Sequence, residues 1–140
     1  LDSRPTPAVC ESMSRHTHRR VTPKINRQLP RGRAGLHALD VAMDVAEAVY
    51  ELQLPRGLSH LRDHLLRAAD NTALRLSEAS GRTLGNRYQH LEAAYAENQE
   101  VQSDLLLLGR RGVDVPRTVI RQADRLGGMI YGLLRAETRR

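Results

Sequence analysis

Residues 61–82 read LRDHLLRAADNTALRLSEASGR. Leu61, Leu65, Ala69, Thr72 and Leu76 recur at intervals of three and four, the spacing that lines up side chains on one face of an α-helix. Ser59 is placed to cap this helix, and Ser80-Gly81 supplies a stop. Charged residues fill the remaining positions. The stretch therefore predicts a helix that buries one side against partners and keeps the other wet. It holds no nucleophile set beside a base and no phosphate-cradling loop.

Three further segments have the same character. Upstream, Leu36, Leu39, Met43, Ala46 and Tyr50 form an apolar stripe, with Asp40, Asp44, Glu47 and Glu51 on other faces. Leu54-Pro55-Arg56-Gly57 ends that helix, because proline blocks continuation and glycine frees the turn. Downstream, Thr83 is a candidate cap for a longer helix with the stripe Leu84, Tyr88, Leu91, Ala94 or Tyr95, Asn98, Val101, Leu105 and Leu108. Gly109 and Gly112 are both available to end it. Asp114 with Pro116 marks the start of a fourth helix, which carries Val119, Ile120, Ala123, Leu126, Ile130, Leu133 and Leu134.

No segment alternates with period two, and the chain has no Phe, no Trp and four Tyr. An all-α domain is expected: an antiparallel up-down-up-down four-helix bundle over residues 35–140, because short connections make consecutive helices antiparallel neighbours. Ala123, Gly127, Gly128 and Gly132 leave room for close approach of a helix, either a subunit contact or, as the glycines' cost to the helix favours, internal packing.

The 140 residues suit one domain, which at this size folds without disulfides or metals. A single cysteine, Cys10, excludes an internal disulfide and points to a reducing compartment, hence a cytoplasmic location. The longest apolar run, residues 105–108, is far short of the ~18 residues a membrane span needs.

The formal net charge is +6, and all of it lies in the first 33 residues, which hold eight basic groups against Asp2 and Glu11; the rest of the chain is balanced. Residues 1–34 carry four of the six prolines and little to bury, so they are read as a disordered basic tail. As an arm along nucleic-acid phosphates it would use Arg15, Arg19, Arg20, Lys24, Arg27, Arg31 and Arg33, with affinity that falls as salt rises. The alternatives are a solubilising extension, sequence upstream of an internal start at Met13, or an Arg-rich transit peptide, against which Pro23 and Pro30 count.

The chemistry-bearing residues argue for few activities. His60 and His64 have the i, i+4 spacing of metal ligands, yet Leu61 stands where a zinc-protease helix needs Glu, and no Glu-x-x-His pair of the di-iron kind occurs. No metal and no cofactor is expected. Glu78 and Glu100, with Arg67 and Arg82, are expected to form salt bridges that set the register between helices rather than an acid–base pair. No nucleophile elbow, Walker loop or dinucleotide-binding glycine pattern is present, so no catalytic residue is assigned and the chain reads as a non-enzyme. Arg110 and Arg111 are candidates for phosphate contact, whereas sequence-specific readout is not suggested, because stacking groups are few.

Residues 67–82, RAADNTALRLSEASGR, resemble the signature of bacterial four-helix-bundle proteins encoded in intervening sequences of 23S ribosomal RNA genes, approximately RAAxSIxxNIAEGxGR. Arg67-Ala68-Ala69, Glu78, Gly81 and Arg82 match it, and Leu76 replaces Ile. Leu91 to Leu106 is similar to the third-helix pattern, with Glu100 at its second recurrent acid. Arg75 stands where the family has Asn, Ser77 where it has Ala, Ala79 where it has Gly, and Asn71-Thr72 where it has Ser-Ile. Leu126-Gly127-Gly128 is similar to a feature of the accessory variability determinant of diversity-generating retroelements, which shares the fold and partners a reverse transcriptase and its template RNA. The resemblance implies a homopentamer that binds structured RNA, or alternatively a subunit whose main partner is a reverse transcriptase. Arg75, as a departure from the family, joins the candidate RNA contacts.

Overall fold

The computed structural model describes residues 34–81 and 85–139. The tail residues, Arg82, Thr83 and Leu84 lie outside the described residues, as does the side chain of Leu36. Four helices follow in order: α1 Ala34–Tyr50, α2 Ser59–Ser80, α3 Gly85–Arg110 and α4 Arg117–Thr138. Each packs on two others, in the cycle α1–α2–α3–α4–α1, and the diagonal pairs do not bring their backbones together. That is the square of an up-down-up-down bundle. Cross-contacts set the direction: His64, near the start of α2, meets Asp104 near the end of α3, and Arg87 at the start of α3 meets Glu137 at the end of α4.

The core along α2 is the expected face, with Leu61, Leu65, Ala69, Thr72 and Leu76 all buried, joined by Ala68, Ala73 and Ala79. Thr72 is satisfied by donating its hydroxyl to the Ala68 carbonyl at 2.8 Å. In α3 the buried line Leu91, Ala94, Asn98, Val101, Leu105 and Leu108 likewise follows the predicted stripe, while Tyr88 is exposed at its edge. In α4 Val119, Ala123, Leu126 and Ile130 are buried and Ile120 is turned outward.

Helix α1 differs from the expectation. Met43 and Tyr50 are exposed, and the buried face is Ala38, Leu39, Val41, Ala42, Val45 and Val49, continued by Leu52. This segment is apolar on most of its circumference, so two phases of the stripe fit the sequence. The alanine-lined side of α2 takes the face made of alanine and valine, and the two bulkier side chains face outward.

The helix ends also shift in detail. Leu58, not Ser59, occupies the N-cap position of α2, and Ser59 is its first helical residue. Gly112, at φ +84°, closes α3, with Val113 N–H donating to Leu108 O at 3.0 Å and Gly112 N–H to Gly109 O at 3.1 Å. This doubly bonded C-terminal turn uses the left-handed conformation that glycine adopts without a Cβ penalty. Gly109 stays inside the helix. Pro116 is itself the N-cap of α4, where Asp114 was expected to cap. The end of α1 is covered by a side chain from α2: Arg62 donates to Leu52 O at 2.9 Å and to Tyr50 O at 3.3 Å, satisfying carbonyls the helix leaves open.

Gly127 faces inward against α3. A Cβ there would stand 2.8 Å from Gln102 Nε2 and 3.1 Å from Asn98 Nδ2. Both amides donate to the Ala123 carbonyl, at 3.2 and 3.0 Å. Asn98 is fully buried, and its Oδ1 has no partner among the described residues. This polar contact fixes the height of α4 against α3, the role often filled by a single buried Asn between helices.

Candidate nucleic-acid interface

Of the residues expected to tie the helices, Arg82 lies outside the described residues, and Arg67, Glu78 and Glu100 do not pair with one another. Glu78 accepts from Arg75 on its own helix at 3.2 Å and lies 2.9 Å from His90 Nδ1 on α3. Glu100 lies 3.8 Å from His64 Nε2. Arg67 makes no ion pair among the described residues. The side-chain ties between α2 and α3 are thus mainly imidazole to carboxylate, with Asn71 reaching Glu97 at 3.5 Å. The shortest, His64 Nδ1 to Asp104 at 2.6 Å, involves a carboxylate that is almost fully buried. Asp104 escaped the sequence reading. Its signal was position: it adjoins Leu105 on the inward edge of α3, where a carboxylate needs a partner.

The hydrogen bond and negative charge of Asp104 hold the His64 imidazole above its ordinary value, and Glu100 adds to this while partial burial and Arg67 oppose it. A group whose folded value is raised contributes stability that is complete below its unfolded value, here about 6.5, and is lost as pH rises through the folded value. The bundle is therefore expected to lose some stability as pH rises above about 6.5. Denaturant midpoints across that range would show it, and His64→Gln should flatten that part of the profile. An unchanged slope in the variant would remove His64 as the cause. His60 is exposed beside this cluster, and no group of three or more His, Cys, Asp or Glu among the described residues is arranged to hold a metal ion.

Of the candidate phosphate contacts, Arg15, Arg19, Arg20, Lys24, Arg27, Arg31 and Arg33 lie outside the described residues. Arg75 is exposed but engaged by Glu78, so its charge is largely offset. Arg110 and Arg111 are exposed at the end of α3 and make no ion pair among the described residues. They adjoin the start of α4, which carries Arg117, Arg121, Arg125, Arg135 and, just past its end, Arg139. None of these five pairs with a described carboxylate. Arg125 lies 3.4 Å from a nitrogen of His37, and Arg135 sits 6.0 Å from the Tyr131 ring centre in cation–π contact.

Helix α1, which packs on α4, carries the exposed acids Asp40, Asp44 and Glu47 and no arginine or lysine along its length, with Glu51 just past its end. The formally neutral body is therefore segregated in charge. Counting over the whole body hid this, although the count per helix contains it. Neither a protein-family model nor a curated protein matches this chain. Arginines that pair with no described carboxylate present forked donors suited to phosphate oxygens, and the exposed acids of α1 disfavour an anion on their own face.

Proposed function

We propose that this protein is a non-enzymatic, self-associating helical-bundle protein that binds structured RNA through arginine–phosphate contacts, as its resemblance to the intervening-sequence proteins implies. The observation that carries this reading is the run of arginines from the end of α3 along α4, where Arg110, Arg111 and the α4 arginines pair with no described carboxylate. Folding leaves that charge unused. The eight basic groups of residues 1–33 add to it as a sequence-independent arm. Self-association is supported by large apolar side chains left open on α2 and α3, among them Leu106 at 64% and Leu74 at 59% exposure. A homopentamer is the assembly that the resemblance implies, and light scattering of the full chain tests it; a monomer at every concentration would refute it.

RNA binding is tested by fluorescence anisotropy with a structured RNA at several salt concentrations. The logarithm of the affinity should fall linearly with the logarithm of salt, with a slope of about −0.7 to −0.9 per phosphate neutralised. Absence of binding even at low salt would sink the reading. The double variant Arg110→Gln/Arg111→Gln is expected to shorten the slope by about two without changing preference among RNA sequences.

A further inference from the structure

We propose that the outward ridge of α4 docks across the minor groove of duplex RNA; this rests on the RNA-binding reading above and names its surface and the form of RNA. Positions 117, 121, 125, 128, 132, 135 and 139 follow one another at intervals of four or three, so they lie along one line of the helix. Arginines occupy both ends of the line and Gly128 and Gly132 its middle, and every member is exposed. No described residue lies within 4 Å of the place a Cβ would take on either glycine. The ridge thus dips to bare backbone between two arginine groups.

Folding does not account for this pattern. Gly127 is needed inside, where a Cβ would meet Asn98 and Gln102, but no described neighbour requires Gly128 or Gly132 to lack a side chain. Exposed glycines within a helix cost stability relative to alanine. Arginines four apart repel one another, at 117, 121 and 125 and again at 135 and 139. Within α4 the acids that could relieve them are two, Glu137, drawn inward 2.9 Å from Arg87 Nε, and Asp124, which pairs with no described arginine; Asp40 and Asp44 of the neighbouring α1 form no ion pair with them either.

The dimensions select the ligand. Arg125 and Arg135 are ten residues apart, or ~15 Å along the axis. An A-form duplex presents a wide, shallow minor groove bounded by two phosphate strands and floored with ribose hydroxyls. One arginine group meets each strand, and the bare saddle lets the hydroxyls approach the helix backbone. In B-form DNA the minor groove is only about 6 Å wide, so the same two groups cannot straddle it and the glycines gain nothing.

The test uses the full chain and an RNA duplex of about 20 base pairs, the DNA duplex of the same sequence, and the separate RNA strands. Gly128→Leu fills the saddle on an exposed surface and leaves the fold intact, which circular dichroism checks. It is expected to weaken duplex RNA at least about tenfold while changing duplex DNA less than about twofold. Arg121→Gln and Arg135→Gln should each reduce the salt slope for duplex RNA by about one. If these variants bind duplex RNA as the parent does, the ridge is not the surface, and RNA binding itself survives through the tail or Arg110 and Arg111. If the parent binds single strands or duplex DNA as tightly as duplex RNA, the minor-groove inference is overturned. If the parent binds no RNA, the functional reading fails with it.

Discussion

Leu76→Ala is expected to destabilise the bundle by about 2–5 kcal/mol, whereas Leu74→Ala, two residues away on the same helix, should change stability by no more than about 0.5 kcal/mol. Leu76 is 1% exposed and lies in the core, while Leu74 is open to solvent. Truncating the first removes buried methyl groups and leaves a cavity that alanine-rich neighbours on α2 cannot fill. Truncating the second removes almost nothing from the interior. A domain of ordinary stability has only about 5–15 kcal/mol in total, so the Leu76 variant should show a large shift in denaturant midpoint. Measured on dissociated chains, so that any loss of self-association at Leu74 does not enter, equal effects at the two positions would mean that α2 is rotated from the orientation described.

The second contrast lies in α4. Gly127→Ala is expected to cost about 1–3 kcal/mol, because the added methyl enters a filled space and Asn98, fully buried, has little freedom to retreat. Gly128→Ala should instead gain up to about 1 kcal/mol, since its Cβ meets nothing and alanine is the better helix former. Gln102 is partly exposed and can swing aside, which sets the lower end of the first range. Thermal or urea unfolding of the two variants decides the matter; a gain at both positions would show that α3 and α4 do not approach at Gly127.

Much of this fold was legible before any coordinates. The stripes of α2 and α3 follow from local periodicity, and the turn at Pro55 and Gly57 and the stop at Ser80-Gly81 follow from backbone chemistry. The phase of α1 was not legible, because Met43 and Tyr50 weigh as heavily in an apolar pattern as Val45 and Val49, and only the neighbouring helix discriminates. The site was less legible still. Glu78 and Glu100 were singled out, but their histidine partners lie on the facing helix, at positions fixed by relative height and rotation. The Arg75–Glu78 pair, three residues apart on one helix, is by contrast within reach of local spacing.

By itself the sequence determined the number of helices, most of their ends and the inward faces of α2 and α3, since these depend on interactions within a few residues. It also contained the spacing of the α4 arginines. Tertiary structure alone decided that those arginines are exposed and pair with no described carboxylate, that Gly127 is enclosed while Gly128 meets no described side chain, and that Asp104 is buried against His64. Each of these depends on which side chains of separate helices meet, and packing, not local periodicity, sets that.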